Sequence, residues 1–298
     1  MNASEVIAGF ATNPFLTEYS QGAIVNFTRR VAKVLAPIVP VPDLTAHYKI
    51  HNKDRRLILP DTVRRIGGKA TSVSIDVLDG TTTCQVHSLD YVLSGAPVAI
   101  EYFLADAFDF LLGIASQVME QETITKAFAA AGNGSASVWG SDVDPVKEID
   151  DQILALILAA KCDAVAVIFG TGAWSLFKHH PLVLARIKGG DLSWQSMPNL
   201  FHAGAEFLPS YSLYDSAPNA AEEVIDWIFP ADSVLIIASS PKPNRRDASF
   251  MKTFTKLSKG FDFVPTKDGR DILTKFDWYN DIKVTNSAGV IRLNASLS

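Results

Sequence analysis

Cysteine is nearly absent from this chain: Cys84 and Cys162 are the only two, and no CxxC pair occurs. A disulfide framework or a cysteine metal clip is therefore excluded as the basis of the fold, and reduced thiols in a cytosolic chain are expected. Long apolar runs are missing too. The longest uninterrupted one, Ile153 to Ala160, is far short of the roughly 20 residues a membrane span requires. The opening MNASEVIAGFATNPF has neither a basic stretch nor a continuous apolar core, so no secretory signal is expected. GxSxG, HExxH and the GK[ST] ending of a phosphate loop do not occur.

What is present is a globular composition with a local charge imbalance. The 298 residues are 48% hydrophobic and 20% charged, long enough for about two domains and greasier than a solitary enzyme needs. Apolar surplus of this kind tends to end in subunit contacts. The total charge is −5, yet Lys49, Lys53, Arg55, Arg56, Arg64, Arg65 and Lys69 stand against only Asp54 and Asp61. That stretch carries +5, and the remainder carries −10. Such a split points to a partner of opposite sign, and another copy of the chain would supply one. A solvated charged hairpin is the bland alternative. Nucleic-acid binding is a third reading, weakened by the lack of interleaved aromatics other than Tyr48.

Residues 1–44 read as an arm: short helical pieces such as QGAIVNFTRRVAKVL, then Pro37, Pro40 and Pro42, which deny helix and favour extended backbone. From 45 to 94, YKIH, RRLIL, SVSIDVL and TTTCQVHSLDYVL are strand-like, with Gly67-Gly68 and Asp79-Gly80 as turn signals. This two-stranded excursion has little core of its own and must lie against something else. Pro97 to Gly132 predicts one helix of some 30 residues, with apolar positions at intervals of three and four. Glu101, Asp106, Asp109, Glu120 and Glu122 interleave with them and predict an acidic exposed side. GNGSAS reads as a flexible linker. Beyond it, Asp144 can cap and Pro145 can open a second helix ending near Lys161. Alternating strand and helix signals then give a compact α/β unit over 143–261: AVAVIF, TGAWSLFKHH, SMPNLFHAG, EFLPSYSLY, EVIDWIF and SVLIIAS. The tail, 262–298, reads as a strand or hairpin returning to the long helix.

Chemistry-bearing patterns are few. Gly170-Thr171-Gly172 follows a strand and precedes a helix as a dinucleotide loop would, but Ser175 stands where the third glycine belongs. An ordinary strand-to-helix turn explains it. His179, His180 and His202 lack a thiol or carboxylate at ligand spacing, and a solvated helix end is the simpler reading. Asp142 and Asp144 are explained by capping. PKPNRR at 241–246 reads as a small basic loop. No catalytic residue, metal site or cofactor is expected.

Taken in order, a proline-punctuated arm, a basic hairpin, a long acidic helix, a compact α/β unit and a returning strand resemble the major capsid protein of tailed bacteriophages, the Hong Kong 97 fold. LAPIVPVPDLTAHYKIHNKDRRLILPDTVRRIGG resembles the passage from N-terminal arm to E-loop in that family, and AVAVIFGTGAWSLFKHHPLVLARIKGG with EFLPSYSLYDSA resembles its axial-domain segment. The resemblance covers nearly the whole chain and rests on phrases plus order.

It implies an α+β capsid fold with an arm (1–44), an extended E-loop hairpin (45–94), a peripheral domain with a spine helix (95–142), an axial domain (143–261) and a return to the peripheral domain (262–298). It further implies hexamers and pentamers closing into an icosahedral shell around double-stranded DNA, touched without sequence-specific contacts. The implied partners are further copies of the chain, a portal, a separate scaffolding protein, since no scaffolding extension precedes the arm, and in some heads a decoration protein. No membrane is involved, and the location would be the virion, after assembly in the host cytoplasm. The basic E-loop residues would face Glu101, Asp106, Asp109, Glu120 or Glu122 of a neighbour. The isopeptide cross-link of some members finds no matching residues, so Lys49, Lys53 and Lys69 read as plain charges. An encapsulin shell of the same fold is the nearest alternative, and a nucleotide-dependent α/β enzyme built on Gly170 and Gly172 is one from another class.

Overall fold

In a computed structural model of the chain, the described residues are 30–50, 78–93, 100–186, 201, 205–217, 222, 224–256, 261–268 and 271–297. Pro97, the strand signals RRLIL and most of SVSIDVL, Gly67-Gly68, His202 and most of SMPNLFHAG lie outside them. The architecture is mixed α+β, organised as two five-stranded sheets on one long helix.

Helix α1 (Arg30–Leu35) leads into strand β1 (Ile38–Val41), then β2 (Thr45–Ile50), β3 (Leu78–Thr83) and β4 (Gln85–Leu93). Residues 1–29 of the expected arm lie outside the described residues; the proline-punctuated stretch after α1 is extended, and β1 pairs parallel with β11 (Met251–Lys256) at a sheet edge. An edge tolerates Pro40, which has no N–H to give a ladder. The central strand of this sheet is β13 (Asp271–Val284), flanked by β4 on one side and by β11 and β12 (Phe261–Asp268) on the other. Burial along β13 alternates strictly from Ile272 to Ile282.

The long helix α2 (Ile100–Ala131) has 32 residues, about 48 Å at 1.5 Å each. Its first half packs Phe108, Leu111, Ala115 and Met119 on Phe276 and Trp278 of β13. Its last turns place Ile124 and Ala127 on the other sheet. That sheet has the order β5 (Ser135–Val138), β14 (Val290–Ser296), β10 (Ser233–Ala238), β6 (Val165–Phe169), β7 (Glu206–Pro209). Helix α3 (Pro145–Ala160), α4 (Thr171–His179) and α5 (Pro181–Arg186) cover one face, meeting Val165, Val167 and Phe169. The helices α1 and α2 cover the opposite face, meeting Ala166 and Ile168. Buried on both sides, β6 reads as the continuous apolar run AVAVIF. A ribbon of β8 (Leu213–Asp215) and β9 (Ile225–Trp227) stands beside α2. The capping signals hold as read: the Asp144 carboxylate accepts the Val146 and Lys147 N–H groups, and Lys161 closes the helix at φ 55°.

Three expectations are corrected. GNGSAS is not a flexible linker: Gly132 and Gly134 take φ +69° and +71° to make a turn, and Ser135–Val138 pairs with β14. Arg292 locks this turn by stacking on Phe128 at 4.7 Å and donating to the Gly132 carbonyl. The tail divides: residues 271–284 stay with the long helix, but β14 inserts between β5 and β10. The sheet thereby takes its second strand from residues 290–296, which satisfy the backbone groups of β5 on one side and of β10 on the other.

Glu120 is the third correction. It is fully buried, accepting the Ala32 N–H at 3.0 Å and the Ser212 hydroxyl at 2.9 Å, so it is no part of an exposed acidic side. It ties α1 and the segment before β8 to α2 where the two cores meet. Glu120→Ala would leave those buried groups unpaired, a loss of about 1 to 3 kcal/mol, read as a lower urea midpoint with unchanged slope; Asp144→Ala should cost about 1 kcal/mol as an ordinary cap.

Candidate inter-subunit interface

The basic segment is bounded in sequence by the two strands of the β2–β3 stem, which pairs antiparallel from Thr45↔Thr83 to Ile50↔Leu78. Asp79-Gly80, read from sequence as a turn, lies inside β3, because the Tyr48 ring crosses Gly80 where a Cβ would stand 2.6 Å from Cζ. The ring then rests on Phe254 at 5.1 Å, and Ala46, Cys84, Val39 and Val41 complete a small cluster on that side of the β11/β13 sheet. Burial pushes the Tyr48 hydroxyl and the Cys84 thiol above their ordinary pKa values. Asp281 anchors the stem, accepting the Thr82 hydroxyl at 2.8 Å and the Thr83 N–H at 3.2 Å. A short stem with one aromatic anchor is how a hairpin of little core is held.

Of the basic residues, Lys49 is described, and it is matched within its own chain to Asp79. That hydrogen bond holds the exposed Asp79 carboxyl below the usual carboxylate range. Lys53, Arg55, Arg56, Arg64, Arg65 and Lys69 lie outside the described residues. On α2, Asp106 and Asp109 are exposed, next to Phe110 at 55% exposure. Glu122 is half-buried and paired with Lys126 at 2.7 Å, and Lys126 also donates to the Ile282 carbonyl. Only the backbone of Glu101 is described. The acidic surface of the long helix is therefore narrower than its sequence suggested: Glu120 is interior and Glu122 half-buried, while Asp106 and Asp109 are exposed.

The patterns that resembled enzyme sites have packing explanations. At Gly170 a Cβ would sit 2.1 Å from the Pro230 carbonyl oxygen, and at Gly172 3.0 Å from that of Ala231. The N–H of Gly170 donates to Ser233 and that of Ala173 to Ala231, both carbonyls of the chain. The position a phosphate would take at this helix start is occupied by the chain's own backbone. His180 is buried rather than solvated: Leu182 N–H donates to Nδ1, which leaves Nε2–H to donate to the Gly140 carbonyl at 2.9 Å. Among the described residues no group of three or more His, Cys, Asp or Glu could hold a metal, and both cysteines are free thiols.

No family profile and no curated protein matches this chain. Solved structures do. A phage-related protein from Bordetella bronchiseptica RB50 superposes with TM-score 0.69 at 16% identity, over 95% of this chain and 96% of that one. The SrpI encapsulin of Synechococcus elongatus PCC 7942, in its holo complex, gives 0.53 at 9% identity over 89% and 86%. The mature capsid of bacteriophage PhiM1 gives 0.51 at 9% identity over the same shares. The chain has the mixed α+β fold that these structures share.

If the GTG turn is packing, titration with NAD or ATP gives no binding heat in calorimetry. Gly170→Ala should then lower the thermal midpoint by several degrees, while a nucleotide-dependent stabilisation of wild type would contradict this assignment.

Proposed function

We propose that this chain is a shell protein, the major capsid protein of a tailed phage, assembling as hexamers and pentamers of an icosahedral head around double-stranded DNA. The observation that carries the proposal is the fold shared end to end with the phage-related protein, and the form of the chain supports it. A hairpin stem with one small cluster on the β11/β13 sheet has no use in a compact enzyme but suits a contact reaching to a neighbour. In this reading the residues through β1 form the arm, the β2–β3 excursion the E-loop, α2 the spine of the peripheral domain, and the sheet around β6 and β10 the axial domain. The partners would be further copies, a portal, a separate scaffolding protein and the packaged DNA, held by screened charge rather than base contacts.

Across the shell, Arg55, Arg56, Arg64, Arg65 and Lys69 of one copy would face Asp106 and Asp109 of the next, with Glu101 toward the start of the same helix. Exposed pairs contribute only about 0.2 to 1 kcal/mol each. They would set register while apolar contacts supply most of the association energy, repeated over many copies. Lys49 and Glu122 are already matched within the chain, to Asp79 and Lys126.

A second reading has a specific observation behind it. The encapsulin superposes as well as the PhiM1 capsid does, and an encapsulin-type compartment would enclose protein cargo without scaffold or portal.

Negative-stain microscopy with sedimentation velocity, on the chain alone and co-expressed with its neighbouring genes, separates the two. Closed shells that need the neighbouring genes and hold DNA support the capsid. Shells formed alone around protein support the compartment, and a monomer or dimer in both preparations refutes both. Arg64→Glu with Arg65→Glu should reduce assembly and its sensitivity to salt, and Asp106→Lys with Asp109→Lys should partly restore it; unchanged assembly in the arginine variant refutes the pairing.

A further inference from the structure

The chain contains a single Asn-Gly pair, Asn133-Gly134, and a single Asn-Ser pair, Asn286-Ser287. An asparagine followed by a small residue is able to modify itself. The next main-chain nitrogen attacks the side-chain Cγ and closes a cyclic imide, an intramolecular step whose partners the chain itself holds together. Glycine suits the reaction best, because no Cβ screens its nitrogen and its backbone turns freely. The chemistry asks for a side-chain amide engaged by nothing else, a following N–H outside the secondary structure, and water to open the ring.

The structure separates the two pairs on these requirements. Asn286 is buried, and its Nδ2 donates to the Ala160 carbonyl at 3.2 Å and to the Ala248 carbonyl at 2.9 Å. Asn133 is exposed, in the turn between α2 and β5. Its carbonyl is used, accepting Asn294 Nδ2 at 2.8 Å, but its side-chain amide bonds to nothing among the described residues. Gly134 stands just outside the ladder, since β5 pairs with β14 from Ser135↔Leu293 onward. Its N–H is donated to no acceptor among the described residues. The turn also demands this glycine: φ is +71°, and a Cβ would stand 2.7 Å from Arg292 Cγ. The related Asp79-Gly80 pair lies inside the β2–β3 ladder, with its carboxylate held by Lys49, and an ionised carboxylate is a poor electrophile.

We propose that Asn133 is a self-modifying site, converted to aspartate or isoaspartate through the imide it forms with Gly134. The Gly134 nitrogen bonds to Asn133 Cγ, the Cγ–Nδ2 bond breaks, and the displaced Gly134 proton leaves with Nδ2 as ammonia. Water then adds to the imide. Opening at Cγ gives aspartate; opening at the main-chain carbonyl gives isoaspartate, whose main chain runs through Cβ and Cγ. In the second product the former Asn133 carbonyl becomes a carboxylate beside Asn294, whose Oδ1 accepts from Arg292 Nε at 3.0 Å. Either product adds a negative charge to every copy at the turn joining the long helix to the second sheet. The change needs no partner and is independent of the shell reading, so it accumulates with the age of the protein.

Peptide mass spectrometry on the full-length chain tests this, with fragmentation that distinguishes isoaspartate from aspartate. The protein is held at mildly alkaline pH, folded and in parallel in urea, and sampled over weeks. In the folded chain Asn133 should convert several-fold faster than Asn286, and faster still at higher pH, because the attacking nitrogen must give up its proton. Asn286 should react only in urea. Asn133→Gln should abolish conversion at that position, since the longer side chain closes a less favourable ring; the turn accepts it, because Asn133 does not take a positive φ. An Asn133 that stays intact in the folded chain overturns the proposal, whether or not it reacts in urea. Equal conversion of Asn133 and Asn286 in the folded chain overturns the selection by structure.

Discussion

Glu120 sits out of water past the middle of a helix that two hydrophobic cores share, and much of the architecture depends on that arrangement. The first half of α2 closes one sheet through Phe108, Leu111, Ala115 and Met119, and its last turns close the other through Ile124 and Ala127. Neither sheet could bury its inner face without the helix, so both are fixed in relation to it. At the junction a carboxylate is retained because it satisfies two donors from different parts of the chain, the Ala32 N–H and the Ser212 hydroxyl. A buried polar group is tolerated only when hydrogen-bonded in this way, and removal of one side of such a network costs more than its formation contributes.

Among the described residues, a chain built on one shared helix leaves several large apolar side chains exposed. The β2–β3 stem is held by Tyr48 on Phe254 and by Asp281, a small cluster beside the segment with the strongest local excess of positive charge. The outer side of α3 and the β8–β9 ribbon expose large apolar residues on opposite sides of the second sheet. The turn at Gly170 and Gly172 is accounted for within the chain. Its glycines admit the Pro230 and Ala231 carbonyls, while the Ser233 and Ala231 carbonyls accept the Gly170 and Ala173 N–H groups that a bound anion would need.

Local patterns were legible wherever local forces dominate. The helix from Pro145 ends where Asp144 and Lys161 cap it, the long helix ends at Gly132 in a left-handed turn, and the apolar AVAVIF run is the doubly buried strand. The alternation in DILTKFDWYNDIKV was equally available as a strand signal, since Ile272, Thr274, Phe276, Trp278, Asn280 and Ile282 all face inward. Periodicity cannot reveal which acidic residue of a helix is interior. Glu120 occupies a position that reads like those of Glu122 and Asp109, and only the arrival of α1 and the segment before β8 distinguishes it.

The sequence by itself determined the long helix, the capped helix from Pro145, the doubly buried AVAVIF strand and the charge division between residues 49–69 and the rest, because each is a property of neighbouring residues or of composition. Tertiary structure alone decided that β14 enters the middle of a sheet begun far upstream, that Tyr48 crosses Gly80, and that two apolar surfaces face opposite ways. Those outcomes depend on contacts between residues far apart in the chain, where burial of apolar area and satisfaction of backbone groups are settled jointly rather than segment by segment.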